Sequence, residues 1–124
     1  MERILIAEDE PDIRELIRLA LQFNGFEVIS ASDGAEAVEL ASNNSFDLIM
    51  LDVRMPRLTG YEACRQLREM EATKEIPIIF LSAKGQEAEV DEGLEAGADR
   101  YILKPFAPFE LANEIKQILA ERGT

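Results

Sequence analysis

The chain has 124 residues, and its 25 acidic against 13 basic residues give a formal net charge of -12. That length holds one domain around one core, so residues 1–124 read as a single domain, and 47% hydrophobic residues mark a chain that folds. The charge argues against general nucleic-acid binding and against an anionic membrane surface, both of which rely on Lys and Arg.

There is no histidine, which removes a Ser-His-Asp triad and any His-ligated metal. The one cysteine, Cys64, allows no internal disulfide; it sits in a helical pattern and reads as a small packing residue. The first residues lack the long apolar stretch of a signal peptide, and no apolar run approaches a membrane span. The expected location is the cytoplasm.

Strand-like runs lie near 3–8, 26–31, 46–52, 76–82 and 100–103. Helical patterns lie near 11–23, 34–43, 59–70, 86–96 and 107–121. In the first helix Ile13, Leu16, Ile17, Ala20 and Leu21 form an expected core-facing stripe. In the last helix Leu111, Ala112, Ile115, Ile118 and Leu119 do the same. The alternation predicts an α/β fold, a parallel sheet covered on both faces. Leu48–Leu51 and Ile78–Leu81 are continuously apolar, as in strands buried on both sides, whereas 26–31 suits an edge. The 86–96 helix carries five acidic residues and few apolar ones, so it is expected to be weakly anchored.

Four of the runs end on reactive polar residues: Glu8-Asp9, Asp52, Ser82 and Lys104. In a parallel sheet these ends share the edge where open α/β folds bind ligands. Three crowded carboxylates call for a divalent cation, and oxygen ligands favour magnesium, calcium or manganese over zinc. Read alone, Glu8–Asp12 is also an acidic helix start. Asp52 is either a plain strand terminus or a nucleophile held at a rigid edge, since aspartate attacks phosphorus to form an acyl phosphate. Asp47 reads as the plain case, at the far edge. Ser82 is either a turn hydroxyl or a donor to a phosphoryl oxygen, and Lys104, before Pro105, either a solvated charge or a partner for an anion. Together they suggest a metal-assisted phosphoryl acceptor.

Ile4–Pro11, Asp47–Pro56 with Gly60, Leu81-Ser82-Ala83 and Gly97–Phe106 stand in order at spacings that resemble the receiver domain of bacterial two-component response regulators, of chemotaxis type. The resemblance covers essentially the whole chain. It implies a doubly wound, five-stranded parallel sheet of order 2-1-3-4-5. It implies Asp52 as the phosphorylated residue and Mg2+ as the cofactor, with Mn2+ able to substitute. Asp9 and Asp52 would ligate the ion directly, Glu8 through water, and Arg54 through its backbone carbonyl. Ser82 would follow the phosphoryl group, Lys104 would pair with it, and Tyr101 would be the aromatic switch. The implied donor is a histidine kinase or a phosphotransfer protein. The receiver itself catalyses the transfer, and its output goes to a downstream protein or output domain, as a monomer or a phosphorylation-dependent dimer.

The face made by helix 86–96, strand 100–103 and the last helix is the expected output surface. Arg100 and Glu114 on it read as solvated charges rather than as a pair across a dimer. Arg54 and Lys84 are expected to flank the cleft and read either as modulators of phosphoryl lifetime, slowing self-dephosphorylation, or as solvated cations with little effect. Three other classes fit these residues less well. A haloacid-dehalogenase-type phosphatase needs an aspartate where Arg54 stands. A flavodoxin-like binder needs phosphate-binding donors where Glu8-Asp9-Glu10 would repel. A degenerate receiver acting only as a protein-binding module conflicts with the full set Asp9, Asp52, Ser82 and Lys104.

Overall fold

The structure, a computed structural model, describes residues 2–83, 97, 99–104 and 107–122, with side chains for all of these but Ala83, Leu103, Lys104, Pro108 and Arg122. The expected helix at 86–96, Lys84 and Pro105 lie outside the described residues. Within them the apolar runs become β1 (Arg3–Ala7), β2 (Glu27–Ala31), β3 (Leu48–Asp52), β4 (Ile78–Ala83) and β5 (Arg100–Lys104). The amphipathic stretches become α1 (Pro11–Phe23), α2 (Gly34–Asn43), α3 (Gly60–Glu69) and α4 (Pro108–Arg122). The sheet is parallel throughout, in the order β2-β1-β3-β4-β5, so β2 is at an edge as expected.

Alternation along the strands divides the core into two layers. Leu5, Ile49, Leu51, Ile78 and Phe80 meet Ala37 and Ala41 of α2 and Ala63, Cys64 and Leu67 of α3. Ile4, Ile6, Leu48, Met50, Ile79 and Leu81 meet Ile17 and Leu21 of α1 and Leu111, Ala112, Ile115 and Ile118 of α4. Every residue of β3 is buried, which is why its sequence reads as one apolar run.

The helix starts are locally specified. Asp33 caps α2 by accepting from the Glu36 N–H at 2.8 Å. Thr59 and Glu62 form a reciprocal capping box on α3. The stripe expected on α1 is corrected at Leu16, which is 51% exposed; Leu19 and Phe23 are exposed beside it, and Phe23 packs edge-on against Phe109 of α4. The sheet covers only a narrow strip of α1, centred on Ile17 and Leu21, and Leu16 lies on its flank.

Arg3 and Asp47 join the first and third strands at the edge remote from the polar strand ends: the Arg3 N–H donates to Asp47 Oδ2 at 2.8 Å and Asp47 N–H to the Arg3 carbonyl at 2.8 Å. Asp47 is thus a strand terminus. The start of β5 is set by Arg68 of α3. Its Nε donates to the Gly97 carbonyl at 2.9 Å, Nη1 to the Ile76 carbonyl at 2.6 Å and Nη2 to Asp99 Oδ2 at 2.9 Å. Arg100 is not simply solvated: it pairs within the chain with Glu114 at 3.5 Å and Glu121 at 3.2 Å, because β5 runs alongside α4.

Candidate functional site

The strand register brings the polar ends together. Ala7 lies opposite Leu51, Asp52 opposite Leu81, Ser82 opposite Leu103 and Ala83 opposite Lys104. Glu8, Asp9, Asp52 and Ser82 therefore leave one edge of the sheet on neighbouring strands. Glu8 is fully buried, Asp52 and Ser82 nearly so, and Asp9 is exposed. β5 carries the Lys104 backbone to the same edge; its side chain is outside the description.

One carboxylate oxygen from each of Glu8, Asp9 and Asp52 lies within 4.8 Å of the other two. The turn that presents Glu8 and Asp9 is held from both sides: Glu8 N–H donates to the Ala31 carbonyl at 3.1 Å, and Arg14 Nη1 donates to the Glu8 carbonyl at 2.8 Å. The donor set fits a small hard cation. Magnesium typically takes one or two carboxylates and keeps several waters, and the three carboxylates could hold it while supplying only oxygen donors. Two of the three carboxylates, Glu8 and Asp52, are buried.

The loop after β3 is tightly fitted to the site. Gly60 N–H donates to the Val53 carbonyl at 3.0 Å. Leu58 N–H donates to the Pro56 carbonyl at 2.7 Å, closing a γ-turn in which Arg57 has a φ of 67°. Arg57 Nε lies 3.5 Å from Asp33 Oδ2, joining this strained turn to the cap of α2. Arg54 is exposed at the start of the loop.

Tyr101 is half-buried and directed into the layer that holds Phe80. Its ring meets Phe80 edge-on at 5.6 Å, and its hydroxyl lies 2.7 Å from that of Tyr61. Neither Tyr61, Arg14 nor the Arg57–Asp33 pair stands out in the sequence. The only signal for Tyr61 is that it is one of two tyrosines in the chain.

Residues 4–116 match the family model described as the response regulator receiver domain. The chain belongs to the response regulator receiver domain family. The receiver is 46% identical over 117 residues to response regulator MprA of Mycobacterium sp. (strain KMS), an alignment spanning 94% of this chain and 50% of that protein. It spans about half the length of the curated relatives it matches. A putative response regulator from Chloroflexus aurantiacus superposes with a TM-score of 0.91 at 38% identity, covering 96% of this chain and 98% of that one. The receiver domain of sensor histidine kinase PA1611 from Pseudomonas aeruginosa superposes with a TM-score of 0.89 at 34% identity, covering 96% and 98%, and holds a magnesium ion coordinated in its active site cleft. Receiver domains are the phosphoacceptor modules of two-component signalling and bind magnesium at an acidic pocket, and this chain holds an acidic cluster of Glu8, Asp9 and Asp52.

Proposed function

We propose that Asp52 is the phosphoacceptor of this receiver. The observation that carries the reading is the convergence of the Glu8, Asp9 and Asp52 oxygens within 4.8 Å at the polar edge of the sheet. An Asp52 oxygen attacks the phosphorus of a phosphohistidine on a histidine kinase or phosphotransfer protein. The P–O bond forms as the P–N bond breaks, and its electron pair leaves with the imidazole nitrogen, which takes a proton from solvent. Such a step needs positioning and neutralisation of charge more than covalent help.

Asp9 and Asp52 would hold magnesium directly, Glu8 through water, and the Arg54 carbonyl would complete the protein ligands. The ion supplies positive charge against the phosphoryl oxygens. Burial of Asp52 fixes the attacking carboxylate at the end of a rigid strand. Ser82, on the adjoining strand, offers a hydroxyl to a phosphoryl oxygen, and we assign Lys104 as the countercharge. Ser82 and Tyr101 would carry the change to the face of segment 86–96, β5 and α4, and so to an output partner.

The test is mass spectrometry after incubation with acetyl phosphate and magnesium. One phosphoryl adduct, labile to hydroxylamine, is expected, absent in Asp52→Asn and in excess chelator. Wild-type labelling of Asp52→Asn would refute the assignment.

A further inference from the structure

Tyr61 follows Gly60, the residue that locks the first turn of α3 against the end of β3. It is 7% exposed, so its ring has little freedom of its own. Phe80, fully buried on β4, is wedged between two tyrosines: the Tyr61 ring meets it edge-on at 5.2 Å and the Tyr101 ring at 5.6 Å. Phe80 is also the register partner of Tyr101. The ring contacts set the lie of each tyrosine, and a buried tyrosine hydroxyl still needs a hydrogen-bond partner. The 2.7 Å approach of the two hydroxyls is directional and fixes where Tyr101 sits.

We infer that Tyr61 is a positioning residue for Tyr101, its hydroxyl tying the first turn of α3 to the outer strand β5 so that the Asp52 end of β3 and the β5 edge move as one body. This rests on the assignment of Tyr101 as the switch. It goes further by naming what holds the switch inward and by routing the coupling through α3 as well as through Ser82. The chain of contacts is short. Gly60 packs on the Asp52 and Val53 backbone, Thr59 and Glu62 cap the turn, and Tyr61 reaches from that turn to Tyr101. A shift of the Asp52 end is then passed on to Tyr101 through the hydroxyl contact. The inward position of Tyr101 is thereby favoured before any phosphoryl group arrives, and phosphorylation shifts a population already present.

The test is amide hydrogen exchange of the full chain as wild type, Tyr61→Phe, Tyr101→Phe and the double variant, with and without beryllofluoride and magnesium, beside urea midpoints. Phenylalanine keeps the ring contacts and removes only the hydroxyl. Without beryllofluoride, each single variant is expected to exchange the amides of Arg100–Lys104 roughly fivefold faster, the effect of one net hydrogen bond, and the double variant no faster than either single. In Tyr61→Phe the beryllofluoride-induced protection of the same amides is expected to grow, because less of it is present beforehand. Additive effects, no change in β5, or a rise spread evenly over the sheet with a matching fall in urea midpoint would overturn the inference. The last of these outcomes is what a merely structural tyrosine gives. Acetyl phosphate labelling of Asp52 in the wild type is read separately, so failure of the receiver assignment is distinguishable from failure of the tyrosine link.

Discussion

A Cβ placed on Gly60 would fall inside contact distance of the Asp52 carbonyl oxygen and 3.0 Å from both the Asp52 carbonyl carbon and Val53 Cα. All three are backbone atoms, so nothing nearby yields by rotating a side chain. Gly60→Ala must therefore move either α3 or the end of β3. The expected cost is about 2–3 kcal/mol, in the range of overpacked sites, read as a lower urea midpoint. Labelling by acetyl phosphate should fall further than stability does, because two of the three atoms belong to Asp52, the proposed phosphoacceptor. A variant with wild-type stability and labelling would show that the contact is not constraining.

The three carboxylates should make the metal-free protein less stable than it would be without one of them. Unit charges about 4 Å apart interact by about 1 kcal/mol in water and about 4 kcal/mol at an effective dielectric of about 20. Asp9 is exposed, so the lower figure applies. In chelator, Asp9→Asn is expected to raise stability by about 1 kcal/mol. Added magnesium should then stabilise the wild type and leave the variant nearly unchanged, since only binding to the folded state raises its melting temperature. An equal magnesium-induced rise in both would count against Asp9 as a ligand.

Cys64 is fully buried among Ala63, Leu67 and the sheet, and burial pushes its thiol up to about 11. The raised value means that the folded state favours the neutral thiol more than the unfolded state does. Its contribution to stability is present below the ordinary thiol value and is lost as pH rises toward about 11. Wild type should accordingly lose more stability than Cys64→Ala over that alkaline interval, measured as urea midpoints against pH. Parallel curves would contradict the burial argument. Native Cys64 should also resist a thiol reagent at neutral pH and react once urea unfolds the chain.

Arg54 is exposed two residues past Asp52, and Lys84 lies two past Ser82 in sequence. Hydrolysis of an acyl phosphate needs a water held in line with the phosphorus, a role for carboxamide or carboxylate side chains rather than long cations. Slow self-dephosphorylation is expected, and faster decay in Arg54→Asn combined with Lys84→Gln. A tenfold change corresponds to about 1.4 kcal/mol in barrier height. The measurement is loss of phosphorylated protein with time; equal or slower decay in the double variant would rule the role out.

The strands and helices were legible in the sequence because burial on both faces leaves an unbroken apolar run, as in Leu48–Leu51, and burial on one face leaves a helical period, as in Ile115–Ile118. The helix spans 11–23 and 34–43 agree with α1 and α2 because Pro11 and the Asp33 cap mark their starts in local sequence. The convergence of Glu8, Asp9 and Asp52 was legible for a related reason. Once strands are parallel, residues just past their ends must share an edge, and the register does the rest.

Sequence by itself therefore determined the fold class, the polar edge and the acidic cluster, because each follows from chain periodicity and the order of the elements. Only the tertiary structure decided which side chains meet across elements. Leu16 faces outward although it shares the period of the buried stripe, since the width of the strip that the sheet covers is a property of packing. Arg68 reaches Asp99 across 31 residues, Arg100 turns to Glu114 and Glu121, and the Tyr61 hydroxyl meets that of Tyr101 across 40. Such contacts depend on the angle and offset at which helices lie on the sheet, quantities to which no local pattern in the chain refers.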